Sequence, residues 1–363
     1  KGSRNTPWLV IGISVIATQA SAVTFLSTPG QGFESGLGFV QNYFGGPFAM
    51  IMVAAVFLPI YRRLNVYTAY EFLGRRFDVK TRLLGAALFL VQRGIGAGIT
   101  IYAPAIVLST VMGWRLDLTI ICSGLVVILY TVTGGSEAVN LTQKYQIGVI
   151  FAGMLAAFGV LLARLPSGLS FGDALTVAGG FGKLNAVDFS TDVHRRYTFW
   201  SGLIGGLFLQ LAYFGTDQSQ VQRYLSGSSL RESRLGLMFH AVCKIPMQFF
   251  ILLLGVLVFV FYQFERPPVF FNRIAWEREV ALHDGDGRLR GLEREFETAQ
   301  AEKEQAVRRW IAARHGGGAA AEQAARKVAV AANDRSEALR ARTKTALAAA
   351  DPSLETKDSD YVF

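Results

Sequence analysis

Residues 209–226 read LQLAYFGTDQSQVQRYLS: an apolar run closes in Gly215 and Thr216, and an acid, Asp217, follows at once, with Gln218 and Ser219 behind it. A carboxylate at the end of a lipid-grade run is costly unless it caps a helix, pairs with a cation or faces a cavity. The rest of the chain decides among these.

Composition excludes most classes. The 363 residues are 51% hydrophobic and 17% charged, with 38 glycines, too apolar for a soluble domain and too glycine-rich for a coiled coil. Windows of about 20 apolar residues mark seven candidate spans, near 8–28, 43–62, 83–112, 116–133, 145–165, 197–216 and 236–264. Residues 265–363 hold 17 basic and 17 acidic side chains, so the whole net charge of +9 lies in 1–264. A basic excess on a hydrophobic body fits loops facing anionic lipid, and the lipid bilayer is the expected partner. Nucleic acid is not expected, because no basic stripe with interleaved aromatics is present. Cys122 and Cys243 sit in apolar runs and suggest neither a disulfide nor a metal site. No nucleophile–base arrangement or metal-ligand spacing points to an enzyme.

Basic residues also orient the chain. Arg62, Arg63, Arg75, Arg76, Lys80 and Arg82 place the link between spans two and three inside, and Lys144, Arg223, Arg231 and Arg234 then fall inside too. The 163–196 loop and residues 265–363 fall outside, although Arg164, Lys183, Arg195 and Arg196 blur the bias. A multi-pass protein of the cell (inner) membrane is expected. Lys1 leads directly into a full-length span, unlike a cleaved signal peptide. The first residue is not methionine and the closing YVF resembles the start of another apolar run, so the sequence is expected to be an excerpt of a longer chain.

Residues 265–363 are rich in Ala, Glu and Arg, with Leu282, Leu289 and Phe296 at heptad spacing and HGGG at 315–318 as a turn. They predict a helical hairpin on the outer face, with a solvated charged spacer as the alternative. The domain expectation is therefore a transmembrane core over 1–264 and an extracytoplasmic charged helical insertion over 265–363, a candidate surface for self-association.

The first span, WLVIGISVIATQASAVTFLSTPGQGF (residues 8–33), is interrupted by Thr18, Gln19, Ser21 and Thr24 and closed by Pro29, Gly30 and Gly32. The sixth holds YFGTDQSQ. With five spans per repeat, these two broken segments occupy matching places in successive halves. That is the sequence pointer to a transporter with inverted repeats and a site at unwound helices. Ser and Thr back-bonding with Gly packing is the structural alternative for either break alone.

SAVTFLSTPGQGF (21–33), YRRLNVYTAYEFLGRRF (61–77), YTVTGGSEAVNLTQKYQ (130–146) and GTDQSQVQRYLS (215–226) resemble, in order and spacing, landmarks of the sodium:solute symporter family. The resemblance runs over about residues 1–264. It implies an all-α membrane protein with a leucine-transporter-like inverted-repeat fold, incomplete here at about seven transmembrane helices, plus the outer hairpin. It also implies sodium-coupled uptake of a small organic solute. The co-transported sodium ion would use backbone carbonyls at Ala17 and Ala20. Its other ligands, a hydroxyl pair on the family's eighth core helix, are expected outside these 363 residues.

Substrate candidates cluster at the breaks. Ser21 and Thr24 share a helical face where hydroxyls and free N–H groups can hold a carboxylate, a spacing similar to the sodium/sialic acid branch. Arg93, in LFLVQRGIGAG, matches that branch's cavity arginine; internal pairing with carbonyls or Asp217 is its alternative. Asp217 either lines the cavity or caps the helix beginning at Gln218. Lys244 resembles a cavity residue or is a snorkelling lysine. Gln19 and Gln218 complete the polar set. Gln143 and Lys144 stand where many relatives place a sodium-associated aspartate, which favours one-to-one coupling. A neutral solute such as a sugar, or a membrane sensor module of symporter origin, are the competing functions.

Overall fold

The computed structural model describes residues 6–20, 22–166, 168–192, 194–285, 287–352, 354 and 356. Among them the chain is helical, with no strand. Its α-helices are α1 Trp8–Gln19, α2 Ala22–Ser35, α3 Gly46–Met52, α4 Leu58–Arg63, α5 Ala69–Arg76, α6 Val79–Met112, α7 Leu116–Ala163 and α8 Phe171–Gly180. Then follow α9 Gly206–Thr216, α10 Gln218–Leu225, α11 Leu230–Phe264, α12 Arg273–His283, α13 Arg288–Gly316 and α14 Gly318–Ala350. Among the described residues five stretches are long and apolar enough to cross a membrane: Ser27–Arg63, Val79–Ser109, Leu116–Gly134, Tyr145–Ala163 and Leu230–Phe264. The two shorter apolar helices, Trp8–Gln19 and Ser201–Thr216, are the two spans whose sequences are interrupted.

Spans four and five, Leu116–Gly134 and Tyr145–Ala163, lie on one continuous 48-residue helix, α7. Such a helix rises about 72 Å, more than twice a bilayer's hydrocarbon thickness. The linking polar segment carries Glu137, Ala138, Leu141 and Gln143 and no proline, and Gly134 and Gly135 alone do not break it.

Contacts divide the chain into two compact units. The first comprises Lys1–Phe25, Val40–Leu155 and Val187–Phe250. Its core joins Ile11 and Val15 of α1, Met50 of α3, Leu58 of α4, Phe214 of α9, Tyr224 of α10 and Leu237 of α11. Glycine lets backbones touch here. A Cβ on Gly202 would lie 2.0 Å from the Gln41 carbonyl oxygen, and one on Gly45 would lie 2.0 Å from Leu207 N. Bare backbone at both positions permits the Gly45 N–H to Gly202 carbonyl bond of 3.2 Å. Capping residues set the helix starts: Thr68 Oγ1 accepts from Glu71 N at 3.1 Å for α5, and Asp78 Oδ1 accepts from Thr81 N at 2.7 Å for α6.

The second unit comprises Leu26–Phe39, Ala156–Ala186 and Ile251–Phe363. Phe33 meets Phe259, Tyr262 and Phe271 edge to face. The hairpin is present: α13 and α14 turn at Gly317 and Gly318, the latter with φ +75°. Leu289 and Phe296 lie in its core with Leu292, Leu339 and Leu347. Leu282 does not; it is exposed on α12, which ends at His283, so the heptad phase does not reach back to it.

Lys303 is buried between these helices and donates to the Tyr262 carbonyl at 3.0 Å. Burial pushes its pKa down to about 8, against an ordinary 10.5. Between those values the unfolded chain holds a proton that the folded one does not, so stability rises with pH from about 8 towards 10.5. The thermal midpoint should therefore increase from pH 8 to pH 10, roughly across that window, and the rise attributable to this group should vanish in Lys303→Met. Thermal unfolding of the two proteins at a series of pH values checks this.

Candidate functional site

The first break falls at Ala20, whose φ −82° and ψ 78° leave the helical region after α1. Thr18 Oγ1 back-bonds to the Ser14 carbonyl at 2.7 Å, which weakens the last turn. A helix end leaves its last carbonyls without intrahelical partners; Ala17 lies in that final turn and Ala20 caps it. Thr24 Oγ1 lies 3.5 Å from the Gln19 carbonyl, across the break. Ser21 lies outside the described residues.

The second break is Asp217, extended at φ −74° and ψ 119°, ending α9 and starting α10. Protein groups occupy the carbonyls it releases: Tyr224 OH donates to Phe214 O at 3.0 Å and Tyr61 OH to Gly215 O at 2.7 Å. Asp217 Oδ1 accepts from Ser219 N at 2.9 Å and Ser219 Oγ at 2.6 Å, so the aspartate is the α10 cap. Its other oxygen pairs with Arg93 Nη2 of α6 at 2.5 Å, and the same nitrogen lies 2.5 Å from Ser219 Oγ. The guanidinium also sits over the Tyr213 ring, 5.5 Å from its centroid. Arg93 and Asp217 thus neutralise each other. Gln218 is drawn elsewhere: Oε1 accepts from Ala69 N at 3.0 Å and Nε2 donates to Tyr67 O at 2.9 Å, pinning the start of α5.

Between the breaks lies a polar cluster. Gln19 bonds to His240 of α11 at 2.9 Å and to Gln210 of α9 at 3.4 Å. Lys244, one turn beyond His240 on the same face, is buried with its ammonium 5.2 Å from the Tyr43 ring centroid. No carboxylate pairs with it among the described residues. Gln248, a further turn on, is fully buried with both amide atoms unpartnered. Gln143 of α7 reaches α1, accepting from Ser14 Oγ and donating to Thr18 Oγ1, each at 3.4 Å.

Of the residues expected from sequence, Gln19 is therefore joined to His240 and Gln210 with Thr24 at its carbonyl, and Lys244 lies one turn from His240 on α11, against Tyr43. Arg93 and Asp217 form a second cluster. Sequence reasoning passed over Gln210, His240, Gln248 and Ser219. The spacing of His240, Lys244 and Gln248, four residues apart in an otherwise apolar span, was the available signal.

The family model for sodium:solute symporters matches residues 1–270, and the chain belongs to that family. The human sodium/iodide cotransporter is 32% identical over 276 residues, 76% of this chain and 42% of that protein. Human sodium-coupled monocarboxylate transporter 1 is 35% identical over 241 residues, 66% of this chain and 39% of it. The chain spans about two fifths of the length of these relatives, which are transporters and not enzymes. A solved Na+-coupled sialic acid symporter, substrate-bound and outward-open, matches with a TM-score of 0.66 at 23% identity, over 99% of this chain and 71% of that one. The fold is leucine-transporter-like.

Proposed function

We propose that this chain forms the solute- and sodium-binding part of a symporter that takes up a small carboxylate-bearing solute with sodium. The observation that carries the anionic solute is Lys244. A buried ammonium without a carboxylate partner is costly, and an incoming anion is its natural complement. Arg93 is already matched by Asp217, so in this reading the carboxylate goes to Lys244, with Gln19 and Thr24 beside it and Ser21 as a further candidate. Iodide and monocarboxylates, for which the relatives are named, are both anions. Sodium is cargo, and the carbonyls of Ala17 and Ala20 at the first helix end suit a hard cation without burying net charge.

In the same reading 1–264 is the transport core of a cell-membrane protein. Residues 265–363 lie on its outer face, where their hairpin offers a surface for self-association. The test is competition in proteoliposomes across paired acids and amides. Carboxylates should compete at least about 30-fold better than their amides, the ordinary effect of losing a buried charge partner. Equal competition by amides or by neutral sugars would remove the anionic solute.

A further inference from the structure

Gln19 has a fixed direction in this structure, and His240 is what fixes it. His240 Nε2 lies 2.9 Å from Gln19 Oε1. An amide oxygen only accepts, so the imidazole donates and carries its proton on Nε2. With its oxygen turned to α11, Gln19 presents Nε2 to α9, where it donates to Gln210 Oε1 at 3.4 Å. The remaining ring nitrogen, His240 Nδ1, is buried with no partner. The orientation of the ring rests on the Nε2 bond and on the Phe214 ring, whose centroid is 4.8 Å away.

The polarity of this chain of bonds has a chemical consequence. Each amide oxygen already accepts one hydrogen bond inside the protein: Gln19 Oε1 from His240, and Gln210 Oε1 from Gln19. What these residues offer a solute is then mostly N–H: the second hydrogen of Gln19 and both of Gln210, against one remaining lone pair on each oxygen. Lys244, on the same face of α11, adds an ammonium with no acceptor capacity. Were Gln19 turned over, its oxygen would face α9 and the same place would offer an acceptor.

We infer that His240 is a positioning residue that holds the Gln19 amide with its donors turned outward, so that this end of the site favours solutes presenting acceptor oxygens over those presenting N–H or O–H. The selectivity rests on the proposed carboxylate solute; the positioning of Gln19 does not.

Two measurements separate these. The first is uptake of pyruvate, whose anion presents only acceptors, against pyruvamide, which presents an NH2 group. His240→Leu removes the donor and frees Gln19, and the preference for pyruvate should fall about tenfold, the usual scale for one buried hydrogen bond. His240→Gln places an amide nitrogen near the position of Nε2 and should restore most of it. An equal loss for both solutes, or no rescue by His240→Gln in correctly inserted protein, would overturn the selectivity.

The second is nitrogen-15 solid-state spectroscopy of the histidine-labelled protein, which has four histidines. The His240 signal is assigned by its disappearance in His240→Gln, which needs no transport activity. A ring protonated on Nε2 and bare on Nδ1 supports the positioning, even if no carboxylate is carried. A ring protonated on Nδ1 alone would overturn it.

Discussion

Replacing Asp217 with alanine is expected to destabilise the protein by about 2–4 kcal/mol, one of the largest single-residue effects here, because it removes a helix cap and strands a charge together. The carboxylate caps α10 through Ser219 N and pairs with Arg93 Nη2 at 2.5 Å. Asp217 is buried while Arg93 is half-buried, so the stranded guanidinium is partly rescued by solvent, which keeps the cost below that of a fully buried pair. Asp217→Asn retains an acceptor for the cap and should lose less. The diagnostic comparison is the double variant Asp217→Ala with Arg93→Leu. Removing the arginine as well should restore part of the loss, with a coupling of about 1–3 kcal/mol. Thermal unfolding in detergent of the wild type, Asp217→Ala, Arg93→Leu and the double variant gives the coupling, and strictly additive effects would mean the two residues act separately.

Lys244→Met should show the opposite pattern, stability held and function lost. The substitution removes a buried ammonium that has no carboxylate partner among the described residues, replacing it with an apolar chain of similar length, so the thermal midpoint should stay or rise. Uptake of a carboxylate should fall roughly 30-fold or more, as when a desolvated charge pair loses one member. Its amide, which never used the charge, should change little. A drop in stability with equal loss for acid and amide would make Lys244 a structural residue and shift the anion to another place.

Those two experiments track what the sequence could and could not reveal. The two breaks were legible, because Thr18, Gln19 and Thr24, and then Gly215, Thr216 and Asp217, disturb apolar runs that otherwise have no reason to stop. The hairpin turn was legible from consecutive glycines, one of which takes a positive φ. For Asp217 the chain left cavity and cap open, and the structure shows the cap together with the pair to Arg93, 124 residues away. Nothing local in LFLVQRGIGAG announces which of several acids or carbonyls an arginine will find. The cluster of Gln19, Gln210 and His240 was missed for the same reason, since its members are 191 and 221 positions apart and each looks ordinary in its own helix. Spans four and five were legible as two apolar runs, but hydropathy does not tell that the polar stretch between them stays helical, as it does in α7.

Sodium dependence tests the central claim most directly. Uptake of a carboxylate solute by the complete protein, of which this chain spans a part, should be measured in proteoliposomes under an inward sodium gradient, then with potassium in place of sodium, then with a proton gradient alone. Carbonyl binding of sodium at the first break, coupled to occupancy beside Lys244, predicts that transport collapses in potassium and is not restored by protons. Full activity driven by protons without sodium would contradict it.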